Sequence, residues 1–373
     1  GTLIYPRGYT WMYDVRRDKA ADNNFSVDFA ITDYRKTVTN NKNLHMRVTQ
    51  LNEFKPDEVA LTKGVIPQKK DNSALPKGLE YLLVSREGEN LDTLFTTVIE
   101  PYRKDRYIEN IEALAIDGVD ATDTSVKAVK VTHTGAERTD YIVYSTDNSK
   151  LFTVRDTDGS VALTFRGFVG VVTKNASGAV IYRYVNDGDD ISGATERAGS
   201  FTGSVEAFQR EFSAENYIDV VFDGEVDLSN IVGRYVNVDN GAGKSGDRFN
   251  GAYLIEGYTD NREIDGTVRL DIGTVTLINS YRDKANADIG FNYNIDLGQS
   301  FVIPLSYEEN FTPVFDDVSD NLTTSAGSSV SVTVNAESPI KNNPPAITYV
   351  AATLPRGASL DSVTGTVTWK PDS

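Results

Sequence analysis

The 373-residue chain holds 54 acidic and 37 basic side chains, a formal charge of −17, two histidines and no cysteine. A surface this acidic repels phosphate polymers, which argues against nucleic acid as a partner, and the lack of thiols excludes disulfides and thiolate metal sites. No apolar run approaches the ~20 residues of a membrane-spanning helix, and the length suits two or three domains at ~100–200 residues each. Because the sequence opens at Gly1 and closes on TWKPDS, it is expected to be a fragment or a processed chain.

The first notable stretch is YPRGYTWMYDVRR (5–17), with four aromatics and three arginines inside a first hundred residues whose charges balance, 14 acidic against 14 basic. Tyr9, Trp11 and Arg16 are candidate contacts to a sugar polymer, since aromatic rings stack on sugar faces and a guanidinium pairs with carboxylates. The same stretch would also suit an interface with another domain. FSVDFAITDY (25–34) and NLHMRVTQL (43–51) follow as strands. In the second, Leu44, Met46 and Val48 share the apolar face, which turns His45 away from the core with Arg47 and Thr49 and leaves it free for water, a ligand or a neighbouring domain.

LEYLLVSRE (79–87) and DTLFTTVIEPY (92–102) continue the strand pattern, and the latter breaks at Pro101 to present Tyr102 beside Arg103, Lys104 and Arg106. A tyrosine serves as an acid or base when a nearby cation lowers its pKa. The structural reading takes precedence: Pro101 ends the ladder, Tyr102 packs its ring on the sandwich, and the basic side chains are solvated. As a basic cluster in an acidic stretch, Tyr102 and Arg103 remain candidates for contact with an anionic glycan. No residue is assigned a catalytic role.

Further strands at 139–146, 161–172 and 179–185, separated by Asp-Gly and Asn-Gly turns, point to an all-β chain of antiparallel sandwiches. His133 precedes a turn and reads as a surface residue, and two isolated histidines make no zinc site. The polar stretch NDGDDISGATERAGS (186–200) marks a boundary, giving one sandwich over 1–190 and an accessory β-domain over 196–308. Within the latter, GSVEAFQREFS (203–213) imitates a helix. No cofactor is required. The acidic turns DTDGS (156–160), NDGDD (186–190) and DNGAGKSGD (239–247) offer oxygen ligands for a structural Ca²⁺, although turn chemistry explains the same residues.

From residue 312 the chain has the rhythm of a small sandwich closing on LPRGASLDSVTGTVTW, where Leu-Pro-x-Gly and Thr-Gly-x-x-x-Trp resemble the late strands of Ig- or cadherin-like modules of bacterial surface and secreted proteins. The resemblance implies a partial module over 312–373 and a secreted or cell-surface location.

GENLDTLFTTVIEPYRKDRYIENIEAL (88–114) resembles the C-terminal β-sandwich of heparinase II/III-like polysaccharide lyases, and 216–257, 273–283 and 293–309 resemble their accessory β-domain. These enzymes cleave uronic-acid-containing glycans by β-elimination, with catalytic groups on an α/α-toroid. The resemblance therefore implies an anionic polysaccharide as partner and a missing N-terminal toroid. It also implies a scaffold or substrate-contact role for this chain. The family's histidine motif in the β-region is absent; DNNFSVDF echoes it without the histidine. A carbohydrate-binding or adhesion module without catalysis is the alternative.

Overall fold

The structure, a computed structural model, describes residues 12–18, 24–33, 35–37, 42–65, 78–135, 138–192, 199–239, 251–316, 323–338, 346–351 and 353–371. Among them the chain is all-β, with antiparallel sheets and two single-turn 3-10 helices, Leu228–Asn230 and Ala287–Ile289. No helix among the described residues is long and apolar enough to cross a membrane.

Strands β1 (Met12–Asp18), β4 (Glu58–Val65) and β5 (Gly78–Ser85) form one sheet; β2 (Phe25–Ile31), β3 (Leu44–Gln50) and β6 (Thr97–Arg103) form another. A six-stranded sheet combines β7 (Ile108–Ala113), β8 (Val126–His133), β9 (Arg138–Ser145), β12 (Val169–Asn175), β13 (Val180–Asn186) and β24 (Ser306–Asn310). A third small sheet holds β10 (Phe152–Arg155), β11 (Val161–Arg166) and β14 (Asp190–Ile191). Strand residues alternate between faces, so each face of the six-stranded sheet has its own partner. Ala128, Val143, Val172 and Val185 pack with Phe165, Leu163 and Ile191 in one core. On the opposite face Val129 and Val131 join Ile108 and Leu51, with Val98 of β6 against them.

The second unit is a seven-stranded sheet of β15 (Ser200–Phe208), β16 (Tyr217–Phe222), β17 (Tyr235–Val238), β18 (Gly251–Leu254), β19 (Gly257–Asn261), β20 (Thr267–Asp271) and β23 (Ser300–Pro304). A hairpin of β21 (Ile278–Tyr281) and β22 (Phe291–Tyr293) accompanies it. The helix-like stretch 203–213 begins inside β15: Val205 and Phe208 are core residues, and a Cβ on Gly203 would lie 2.0 Å from the Val221 carbonyl. Tertiary packing overrides the local pattern there.

The expected limit of this unit at 308 cuts through β24, which pairs with β13 from Asn186↔Ser306 to Tyr182↔Asn310 and so belongs to the six-stranded sheet. Residues 200–304 are thus an insertion, and its ends meet: Leu305 N donates to Gly199 O at 2.8 Å and Asp187 N to Leu305 O at 2.9 Å. The C-terminal module pairs β25 (Val314–Phe315) with β27 (Ala336–Glu337), and β26 (Val330–Thr333) and β28 (Ala358–Leu360) with β29 (Thr366–Trp369).

Candidate functional site

Register on the β2–β3–β6 sheet builds the site. Asp28 lies opposite Arg47, His45 opposite Tyr102, and Arg47 opposite Glu100, so these five polar residues share one face. Phe29, Met46, Val48 and Ile99 take the other. β6 does not break at Pro101. Backbone bonds from Leu51 N to Thr96 O and from Lys104 N to Asn43 O fix the alternation, which puts Pro101 opposite Met46 at a non-hydrogen-bonded position. Since β6 is an edge strand, the missing N–H faces away from the ladder and costs no bond. The turn comes at Lys104, where φ is 68°.

Asp28 gathers the site. The Tyr102 hydroxyl donates to its Oδ2 at 2.6 Å, and His45 Nδ1 lies 2.9 Å from its Oδ1. The imidazole and phenol rings stack 4.9 Å apart at 13°. The hydrogen bond from Tyr102, reinforced by His45 and Arg47, holds the Asp28 carboxyl below its ordinary 3.8 despite some desolvation. Reciprocally, donation to Asp28 pushes the Tyr102 phenol above its ordinary 10.0. A cation was the expected influence on this tyrosine; the carboxylate outweighs Arg106 and Arg47, so Tyr102 is a held proton donor and a poor base.

These shifts set a pH window. Asp28's lowered value means its contribution is complete above pH 3.8 and is lost as pH falls through the depressed value. Tyr102's raised value means its contribution is complete below pH 10.0 and is lost as pH climbs past the raised one. Asp28→Asn is expected to return Tyr102 ionisation toward pH 10, measured as the phenolate absorbance difference between each protein and its Tyr102→Phe counterpart. An unchanged titration would show that Asp28 does not govern the phenol.

Arg47 is under-used. Its Nη1 sits 3.6 Å from Asp28 Oδ2, beyond hydrogen-bond reach, and its buried Nε has no partner among the described residues. Opposite it, Glu100 is committed elsewhere: Oε2 accepts from Arg106 Nε at 3.0 Å, and Oε1 accepts the amides of Tyr107 at 2.9 Å and Ile108 at 2.8 Å. Arg106, expected among the solvated cations of the corner, is therefore a structural tie. Asp28 and Arg16 also line a cleft of ≈ 120 Å³ with Lys63 and Tyr81. Arg16 is exposed, with no hydrogen bond or ion pair to a described residue.

Two of the six candidate residues, His45 and Tyr102, thus meet at Asp28, and a third, Arg16, lines the cleft that Asp28 shares. Arg103 does not: it lies opposite Leu44, on the apolar side of the sheet, and is exposed. Tyr9 and Trp11 lie outside the described residues. Sequence reasoning missed Asp28 and left Arg47 unassigned. The available signal was a lone carboxylate on the polar side of FSVDFAI. His133, read as a surface residue, is partly buried and bonds Asp140 at 2.8 Å through Nε2.

In the turns considered for Ca²⁺, the carboxylates serve local structure. Asp158 accepts the Ser160 amide and hydroxyl, and Asp156 accepts Lys130 and Tyr141. Among the described residues no three or more His, Asp or Glu side chains cluster for a metal; most of 239–247 lies outside them.

Residues 312–373 match a family described as "Putative Ig domain", which identifies the C-terminal module and not the rest of the chain. No curated protein and no solved structure matches the sequence.

Proposed function

We propose that this chain is the non-catalytic β-region of an extracellular polysaccharide-processing protein of the lyase type, and that it contacts uronic-acid-containing glycan through Arg47, the His45–Tyr102 stack and Arg16. The observation that carries this reading is Arg47. A part-exposed guanidinium whose Nη1 stands 3.6 Å from Asp28 Oδ2, too far for a hydrogen bond, beside a flat aromatic pair, is a ready receptor for a carboxylate on a ring. The resemblance of 88–114 to lyase sandwiches supports the same ligand class. Tyr102's phenol, tied to Asp28 and raised in pKa, suits substrate contact better than proton abstraction.

Calorimetric titration with oligogalacturonate tests the reading. The chain is expected to bind it, to bind neutral cello-oligosaccharide more weakly, and to lose roughly tenfold in affinity in Arg47→Met. Equal affinity for both sugars would sink the carboxylate assignment, and ultraviolet-absorbing unsaturated products from the chain alone would overturn the non-catalytic one. The Ig-like module, of a surface or adhesion type, favours a second reading in which the chain binds glycan with no lyase partner. An upstream gene segment encoding a helical toroid would decide for the first.

A further inference from the structure

Both histidines of the chain stack on tyrosines of one corner, residues 102–107. His45 covers Tyr102, and at the other end His133 lies over Tyr107 with centroids 6.0 Å apart at 22°. Each imidazole is anchored by a carboxylate, Asp28 or Asp140. Burial pushes the Asp140 carboxyl up, but hydrogen bonds from Arg138, Thr173 and His133 outweigh it and keep the group ionised and fully engaged.

The two stacks lie on the facing sides of two packed sheets. Val98, Glu100 and Tyr102 alternate onto one face of β6, and Val98 packs on the core that holds Val131. His133 stands two residues beyond Val131 on the same face of β8. The facing sheets therefore carry a stack each at the mouth of one interlayer, with Glu100 between them bonded to the Tyr107 amide. Four residues separate Tyr102 from Tyr107, and five extended steps put their Cα atoms at most about 18 Å apart.

The turn joining them projects Arg103 and Lys104 into solvent. Among the described residues the Lys104 side chain has only a pair at 3.4 Å with Asp105, and both side chains are more than three-quarters exposed, a contact of little strength. Aromatic faces at both ends and exposed cations between them match a ligand that repeats both a ring face and a negative charge.

We propose that Tyr107 and His133 form a second subsite continuous with the first, so that the corner binds an anionic polysaccharide along its length and not as a single sugar unit. This rests on the acidic-glycan reading of the first stack. Chain-length dependence separates the two. The full chain is titrated with galacturonate dimer and hexamer, as wild type, Tyr107→Ala, Tyr107→Phe and Lys104→Asn, the last chosen because asparagine tolerates a positive φ.

Hexamer is expected to bind wild type more tightly than dimer. Tyr107→Ala should weaken hexamer roughly fivefold while leaving dimer unchanged, with Phe restoring most of the loss. Lys104→Asn should reduce hexamer alone by about twofold. Dimer binding reports folding of the first site in every variant. Hexamer affinity unaltered in Tyr107→Ala and Lys104→Asn, with dimer still bound, overturns the second subsite alone; a wild type that binds neither overturns the acidic-glycan reading and with it this one.

Discussion

Glu100→Ala should lower stability by about 3–5 kcal/mol, the usual cost of removing one partner from a buried charged network. The side chain is 3% exposed and ties three things together. It accepts Arg106 Nε, pairs with Arg106 Nη2 at 2.9 Å, and accepts the backbone amides of Tyr107 and Ile108. Truncation leaves two amides and the Arg106 Nε without their acceptor beside a side chain that water scarcely reaches. Glu100→Gln keeps an acceptor for the amides but turns an NH₂ toward Arg106, so a smaller loss of about 1–3 kcal/mol is expected. Denaturant midpoints measure both. A loss under about 1 kcal/mol for the alanine variant would mean that solvent already reaches the corner.

Phe165→Ala should cost a comparable amount, about 3–5 kcal/mol for a fully buried phenylalanine. Its ring packs so closely on the backbone that a Cβ at Gly170 would fall 2.6 Å from it, so the lost volume becomes a cavity. The loss should be confined to one unit. Phe165 belongs to the core between β8–β9–β12–β13 and β10–β11–β14, whereas Phe301 belongs to the core of the inserted sheet, and the two cores share no side chain. Calorimetry should resolve two transitions, with Phe165→Ala lowering one and Phe301→Ala the other. A single transition moved equally by both substitutions would show that the units unfold as one.

Alternation made the strands readable. In 44–50 it separated Leu44, Met46 and Val48 from His45, Arg47 and Thr49, and register keeps that division. The His45 side, expected to face away from the core, is nevertheless the one that meets the core of Val129 and Val131 through Val98, opposite Thr49. Pairing was not readable, because it depends on which strand lies beside which. Asp28 reaches Tyr102 from 74 positions away and His45 from 17, and nothing local to FSVDFAI announces either partner. Pro101 misled for a related reason: whether proline ends a strand depends on which edge its nitrogen faces. The β24 segment was assigned by its neighbours in sequence, while its hydrogen bonds lie with β13, more than a hundred residues earlier. Turn residues such as Asp158 were read by chemistry shared between Ca²⁺ ligation and self-bonded turns, and only the geometry of Ser160 shows their local use.

The hydrogen bond from Leu305 to Gly199 bears on how such a protein is assembled over evolutionary time. A unit whose entry and exit touch adds little closure entropy to its host, and domain insertion is tolerated at such places. Residues 200–304 are therefore a cassette that one recombination event can gain, drop or exchange, provided β24 still arrives beside β13. The mouth at Tyr102 and Tyr107 lies wholly in the host, so the glycan site proposed there and the inserted sheet are free to diverge at separate rates.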